Sequence, residues 1–377
     1  MKKLIFIISL FVIAMLTFSA VTAKQEGGKR VIAHSEEEIN NALSQGCTIA
    51  RETKGMTALL CPESAATALG LQEDIRLFAT DSGANTQIKA DLVQASGNKG
   101  TGRKIAILDT GYNYNHPELS SSYLGGKDFV NSDNDPLDDN GHGSHVAGII
   151  TADGVDPKAK GVAPDAGIIS AKVLDAQGGG YFSDSVAAIY WAIDGPDGTY
   201  GTGDEFSVDA ISMSLGSSAP YLYKGTCDTV MPDMKTAIDY ARSKGVLVVV
   251  AAGNSGNPGV SIPGCISTAT TIGAVDKLDK IASFSGRGSA VDLTAPGVSI
   301  WSSVLGTNYA SYSGTSMATP AVSGVVALIK SAHSGYTASQ VETSLTKTAK
   351  DLGKAGKDTI FGYGRVDAQA AVAYNAP

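Results

Sequence analysis

Four short segments of this chain carry side chains whose types and positions suit acyl transfer. Ile105-Ala106-Ile107-Leu108-Asp109-Thr110-Gly111 ends an apolar run on a carboxylate. Asn140-Gly141-His142-Gly143-Ser144-His145-Val146-Ala147-Gly148 sets an imidazole at the head of a glycine-punctuated stretch. Gly314-Thr315-Ser316-Met317-Ala318-Thr319-Pro320 offers a hydroxyl, and Val248-Val249-Val250-Ala251-Ala252-Gly253-Asn254 runs from apolar residues to a side-chain amide. A serine hydroxyl is a weak nucleophile at neutral pH. A neutral imidazole, ordinarily titrating near ~6.5, can take its proton and return it to a leaving amine. A carboxylate on the other ring nitrogen fixes the tautomer and stabilises the imidazolium. The oxyanion of a tetrahedral intermediate needs fixed donors, which the Ser316 backbone N–H at a helix start and the Asn254 amide would supply. Taken singly, each residue has a plainer role. Asp109 and Asn254 read as turn residues, His142 as structural and Ser316 as a helix cap. Their joint placement at strand ends and helix starts is what points to a site.

Such a placement needs a scaffold, and the pattern from about residue 86 supplies one. Strands are expected at Lys104–Leu108, Ile168–Val173, Ala210–Leu215, Val246–Ala252 and Thr268–Val275. Helices are expected at His142–Thr151, Ser183–Ile193, Met234–Ser243 and Ser316–Ala332. Buried apolar strands alternating with helices indicate an α/β fold whose parallel sheet is covered on both faces. Such sheets gather ligands at the carboxyl ends of their strands. Residues 24 to about 80 differ in texture, being polar and free of Trp and Tyr. They suggest helices at Glu36–Leu43 and around Pro62–Leu69, then a strand at Ile75–Phe78. A segment of about 55 residues folds alone only marginally, so it is expected to dock on the larger unit.

Composition sets the class. The 377 residues carry a net charge of -8, with 43% hydrophobic and 18% charged residues. That balance permits a large core, and the acidic surface excludes a nucleic-acid binder, which needs a basic face for phosphates. Lys2 and Lys3, the apolar run from Leu4 to Ala20 and the small residues Val21-Thr22-Ala23 read as an export signal over residues 1–23. The mature chain is expected outside the cytoplasm and off the membrane. Cys47, Cys61, Cys227 and Cys265 lack Cys-x-x-Cys spacing. An exported chain can keep disulfides; free thiols and all three connectivities remain open.

The segments around Asp109, His142 and Ser316, with Ser214-Leu215-Gly216 and Ala252-Gly253-Asn254, resemble the subtilisin-like serine proteases over about residues 87–375. The chain order Asp, His, Ser and the asparagine donor are that family's pattern. Ser144 stands where threonine is usual, and no Gly-x-Ser-x-Gly elbow surrounds Ser316. The resemblance implies a three-layer α/β fold with a mainly parallel sheet, formed by residues 81–377. It also implies a small α+β propeptide over 24–80, cut between about Ala79 and Gln87. A cut there would leave Cys47–Cys61 and Cys227–Cys265 as the natural pairs.

The same resemblance implies a secreted, self-processing serine endopeptidase acting as a monomer on proteins and peptides. Its catalytic residues would be Asp109, His142, Ser316 and Asn254. The backbones of Ser214, Leu215, Gly216 and Gly179 would pair with an extended substrate. The specificity pocket would lie between Ser214–Gly216 and Ala251–Gly253, so Ala252 and Gly253 count among its residues. Nearby Ser217, Ser218, Ala219 and Ser261 carry no charge, which predicts broad cleavage leaning to apolar or aromatic side chains. Asp133, Asp135, Asp138 and Asp139 crowd one loop and suit a structural calcium ion. The family's other calcium loop, Asp153–Lys160 with Glu118, lacks its N-terminal ligand here. His116 and His145 are expected to be structural. A selective processing protease and an inactive peptide-binding homologue are the alternatives.

Overall fold

The computed structural model describes residues 28–79 and 86–377, with side chains of 76–79 and 86 excepted. The expected signal segment, 1–23, lies outside the described residues, as does most of the stretch expected to hold the cut.

The first unit runs β1 (Gly28–Ala33), α1 (Glu36–Ser44), β2 (Thr48–Thr53), β3 (Met56–Pro62), α2 (Glu63–Leu69) and β4 (Gln72–Glu73). Its antiparallel sheet has the order β2-β3-β1-β4. Ser35 and Glu38 form a capping box that starts α1, satisfying backbone donors the helix leaves open. Pro62 stands at the position before α2 without a side-chain capping bond, and Gly70 ends the helix in the left-handed region. Val31, Ala42, Cys47, Leu59, Cys61, Ala65 and Ala66 make a small core of its own. The Cys47–Cys61 disulfide ties that core. Ile32 and Met56 instead join the core of the larger unit, so the sheet is docked as expected. After β4 the chain extends as β5 (Arg76–Ala79).

The larger unit begins with α3 (Ala90–Ala95), β6 (Lys104–Asp109), β7 (Tyr123–Asp128), α4 (His142–Thr151), β8 (Gly167–Lys172), β9 (Gly179–Tyr181) and α5 (Phe182–Asp194). Next come β10 (Ala210–Met213), β11 (Leu215–Gly216), β12 (Leu222–Tyr223), α6 (Pro232–Ser243), β13 (Leu247–Ala251), β14 (Val260–Ser261), β15 (Thr270–Val275) and β16 (Val291–Pro296). The hairpin β17 (Ile300–Ser303) and β18 (Tyr309–Tyr312) precedes α7 (Thr315–Ala332), α8 (Ala338–Thr348) and α9 (Ala368–Ala373).

Seven strands form one sheet in the order β16-β15-β13-β10-β6-β8-β7. Every pairing in it is parallel. Alternation along the strands divides the core in two. Ala106, Leu108, Ile211, Met213, Val248 and Val250 face α5 and α6. Ile105, Ile107, Ala210, Leu247 and Val249 face α4 and α7. Helix, sheet and helix thus make the three expected layers. From β6 the chain crosses to the edge at β7 and returns to β8 beside β6, then runs outward through β10, β13, β15 and β16 on the other side. The winding reverses between β6 and β10, the place where open α/β sheets leave a crevice.

Candidate active site

The crevice is lined by the residues the sequence singled out. Asp109 ends β6 and is 1% exposed; His142 opens α4 and is 1% exposed. His142 Nδ1 lies 2.6 Å from Asp109 Oδ1. The Thr110 backbone N–H donates to the same oxygen at 2.7 Å. The close approach of strand end and helix start depends on two glycines. A Cβ at Gly143 would stand 2.1 Å from the Gly111 carbonyl oxygen, so no larger residue fits there.

Ser316 is the second residue of α7, buried at the head of a helix that packs directly on α4. Its hydroxyl donates to the Ser214 carbonyl oxygen at 3.1 Å. Asn254 follows β13. Its Oδ1 accepts the Thr315 N–H at 2.9 Å and the Thr315 hydroxyl at 3.0 Å. With the oxygen end held, the NH2 donors point away from Thr315. A hydroxyl and a buried carboxylate–imidazole pair therefore head two packed helices, with an anchored amide beside the hydroxyl. This is the equipment for attack on a carbonyl and stabilisation of the resulting oxyanion.

Residues 100–364 match the profile of the subtilase family. The chain belongs to the subtilase family. It is 38% identical to the subtilisin of Bacillus pumilus over 291 residues, covering 76% of this chain and 96% of that protein. It is 39% identical to thermitase of Thermoactinomyces vulgaris over 279 residues, 73% of this chain and 90% of that one. The thermophilic serine proteinase of Bacillus sp. strain AK1 is 38% identical over 275 residues, 73% of this chain and 62% of that protein. The catalytic class is that of the serine endopeptidases.

In this subtilase, β5 lies between two strands of the crevice. Leu215 and Gly216 of β11 pair antiparallel with Ala79 and Phe78. Gly179, Gly180 and Tyr181 of β9 pair antiparallel with Phe78, Leu77 and Arg76. The backbones expected to hold a peptide are thus occupied by the tail of the first unit. Beside them is a pocket of about 240 Å³ lined by Gly216, Ser217, Ser218, Gly253, Asn254, Ser255 and Ser261. Ser261 forms one wall, 2.3 Å from where a Cβ at Gly216 or Gly253 would stand. Ala252 is buried behind it, Ala219 is outside the lining, and no lining residue is charged. The Cys227–Cys265 disulfide closes the loop that follows this wall.

The carboxylates of the acidic loop are held by separate partners. Asp138 is 5% exposed and its carboxylate collects five donors. Oδ1 accepts from the Thr110 hydroxyl, Asn140 N and Gly141 N; Oδ2 accepts from Ser144 N and the Ser144 hydroxyl. These donors hold the carboxylate ionised against the cost of burial. Asp139 pairs with buried Lys172 at 2.6 Å. Asp133 and Asp135 make turns with the N–H groups of Asp135 and Leu137, and Asp135 takes the Tyr114 hydroxyl. The four carboxylates do not converge, and among the described residues no three acidic, imidazole or thiol groups could share a metal ion. Asp138 ties the end of β6 to the start of α4. Spacing alone could not show this, because the donors come together only after folding.

The second acidic site fits a cation no better. Glu118 is fully buried, and its carboxylate accepts N–H groups of Gly154, Val155 and Asp156 at 2.6, 3.1 and 2.7 Å. Tyr309 adds its hydroxyl at 2.9 Å. Consecutive N–H groups facing one point make an anion nest, and the carboxylate fills it. His116 accepts Glu118 N and meets Asn308 O. His145 stacks on Tyr312 and meets Ala310 O. Both imidazoles serve packing, as expected.

Proposed function

We propose that this chain is an exported zymogen of a serine endopeptidase with broad specificity. Ser316 attacks the scissile carbonyl while His142 accepts its proton and passes it to the leaving amine. Asp109 orients the ring and stabilises the imidazolium. Asn254 and the Ser316 backbone N–H hold the oxyanion. Water activated by His142 then releases the acyl group. Residues 24–80 act as the propeptide, covering the crevice until a cut between about Ala79 and Gln87 frees it. The uncharged pocket at Ser217, Ser218 and Ser261 takes apolar or aromatic side chains, and the mature enzyme works as a monomer.

One observation carries this reading: the buried 2.6 Å Asp109–His142 pair beside a helix that begins at Ser316. A serine-directed phosphonate applied to the secreted, processed protein tests it. Labelling should fall on Ser316 and vanish in Ser316→Ala, together with hydrolysis of a denatured bulk protein. Absence of labelling would return the chain to the peptide-binding alternative. Labelling with most of the bulk protein left intact would favour the selective processor.

A further inference from the structure

Helix α7 contains a proline, and its position matters. Pro320 lies four residues after Ser316. In a regular helix the N–H of residue 320 would bond the carbonyl of residue 316. Proline has no N–H, so the Ser316 carbonyl loses its intrahelical partner. That carbonyl belongs to a buried residue at the centre of the site. A buried acceptor left unpaired is costly.

The sheet supplies the missing donor. Ser214, fully buried between β10 and β11, donates its hydroxyl to Ser316 O at 2.7 Å. The Ser316 hydroxyl in turn donates to Ser214 O at 3.1 Å. The pair is reciprocal, with each serine giving its side chain to the other's carbonyl. We propose that the Ser214 side chain is a positioning residue for the nucleophile, replacing the helix bond that Pro320 removes. This role is separate from the pairing of the neighbouring backbone with an extended chain. It rests on Ser316 being the nucleophile.

The reasoning is geometric. The Ser316 peptide carries three functions at once: the hydroxyl that reacts, the N–H that meets the oxyanion, and the carbonyl that anchors both. If the carbonyl is loose, the first turn of α7 can rotate and the other two move with it. Misplacement of reacting groups by about 1 Å costs on the order of 100-fold in rate. Residue 214 does not touch the reacting carbonyl through its hydroxyl, so the loss should appear in turnover rather than in substrate affinity.

A double-mutant cycle tests this on the processed enzyme. Ser214→Ala should lower kcat about tenfold or more with KM within about twofold. In a Pro320→Ala background the new N–H of residue 320 can take the Ser316 carbonyl, so adding Ser214→Ala should then cost less than about threefold. Equal losses in the two backgrounds overturn the proposal, and so does a loss confined to KM. Ser214→Cys keeps the shape but offers only a weak S–H donor. Its kcat should fall toward that of alanine; a rate equal to that of serine would show that bulk is what matters and overturn the role. Failure of the unsubstituted enzyme to label at Ser316 with a phosphonate would instead overturn the reading on which the proposal stands.

Discussion

Gly143 packs so closely on Gly111 that a β-carbon at residue 143 would sit 2.1 Å from the Gly111 carbonyl oxygen and 2.9 Å from its nitrogen. Both atoms are backbone, so nothing flexible can move aside. The contact sets how near α4 comes to the end of β6, and hence whether His142 reaches Asp109. Gly143→Ala should therefore separate the pair. The expected result is a folded chain with kcat/KM lower by about 100-fold or more, or failure to accumulate if the core cannot yield. Wild-type kinetics in this variant would show that the contact does not position the imidazole.

The Asp109–His142 bond itself is open to a cleaner test. Asp109→Asn keeps the shape but offers an amide where the ring nitrogen needs an acceptor. The ring would then prefer the wrong tautomer. Loss of the equivalent carboxylate function in a serine protease costs about 10⁴ in kcat, and a similar loss is expected here with KM little changed. Removing the Asn254 amide, as in Asn254→Leu, should cost about 10²–10³ in kcat, the effect of deleting this donor in a subtilisin.

These residues were legible in the sequence because each one follows or opens an unambiguous element. Ile105–Leu108 and Leu247–Ala251 are unbroken apolar runs buried on both faces; Asp109 directly follows the first, and Asn254 comes just past the second, after Ala252 and Gly253. Strand β7 was not legible. Its Tyr-Leu-Gly-Gly-Lys-Asp sequence sits at the sheet edge, half-buried, with two glycines that weaken any strand pattern. The run Ala210–Leu215 read as one strand but divides at Ser214, where the chain leaves the central sheet and enters the crevice. The partners of Asp138 were not legible for a different reason. Crowded carboxylates suggest a cation when only their charge is visible, whereas the donors from Thr110, Gly141 and Ser144 come from segments brought together by packing.

The anion nest at Glu118 makes a prediction about metals. Three backbone N–H groups and a tyrosine hydroxyl already neutralise the carboxylate, so a cation there would face donors rather than acceptors. Any difference in the unfolding midpoint of the Ser316→Ala chain between excess calcium and chelator should be unchanged by Glu118→Gln. Glu118→Gln puts an NH2 group against N–H donors and should lower the midpoint by several degrees. A chelator-induced drop that Glu118→Gln abolishes would place a calcium ion at this carboxylate and overturn the reading of the loop.

His145 links stability to pH. Burial, aided by nearby His142, pushes its pKa down to about 3. In the unfolded chain it titrates near ~6.5. Between these values the unfolded state holds a proton that the folded state does not, so stability rises with pH across that window and falls on acidification. The midpoint of Ser316→Ala should drop progressively from pH 6.5 towards pH 3. His145→Gln in the same background should show a shallower decline. Parallel curves for the two proteins would remove His145 from the account.

Docking of the first unit should respond to pH in the opposite sense. Asp74 caps α5, accepting Ser183 N at 3.0 Å and the Ser183 hydroxyl at 2.6 Å, beside Arg30 at 2.9 Å. Burial, and the neighbouring Asp184, raise its pKa to about 6, against the opposing pull of Arg30 and Ser183. Undocked and solvated, it returns to the ordinary carboxylate range near ~3.9. The docked form therefore holds a proton between roughly pH 4 and 6 that the free form does not. Docking is favoured on the acid side and weakens as pH rises through that window, by up to about tenfold per pH step of one. His34 Nε2 also lies 3.3 Å from Asp233 Oδ2 across the same contact. The Arg51–Asp184 and Lys54–Asp194 pairs cross the same contact and add a dependence on salt. The lag before activity appears in freshly cut enzyme should thus be longer at pH 5 than at pH 7.5, and shorter in high salt. Asp74→Asn, neutral at every pH, should keep the long lag at both. A lag indifferent to pH in the unsubstituted chain would show that Asp74 does not govern release.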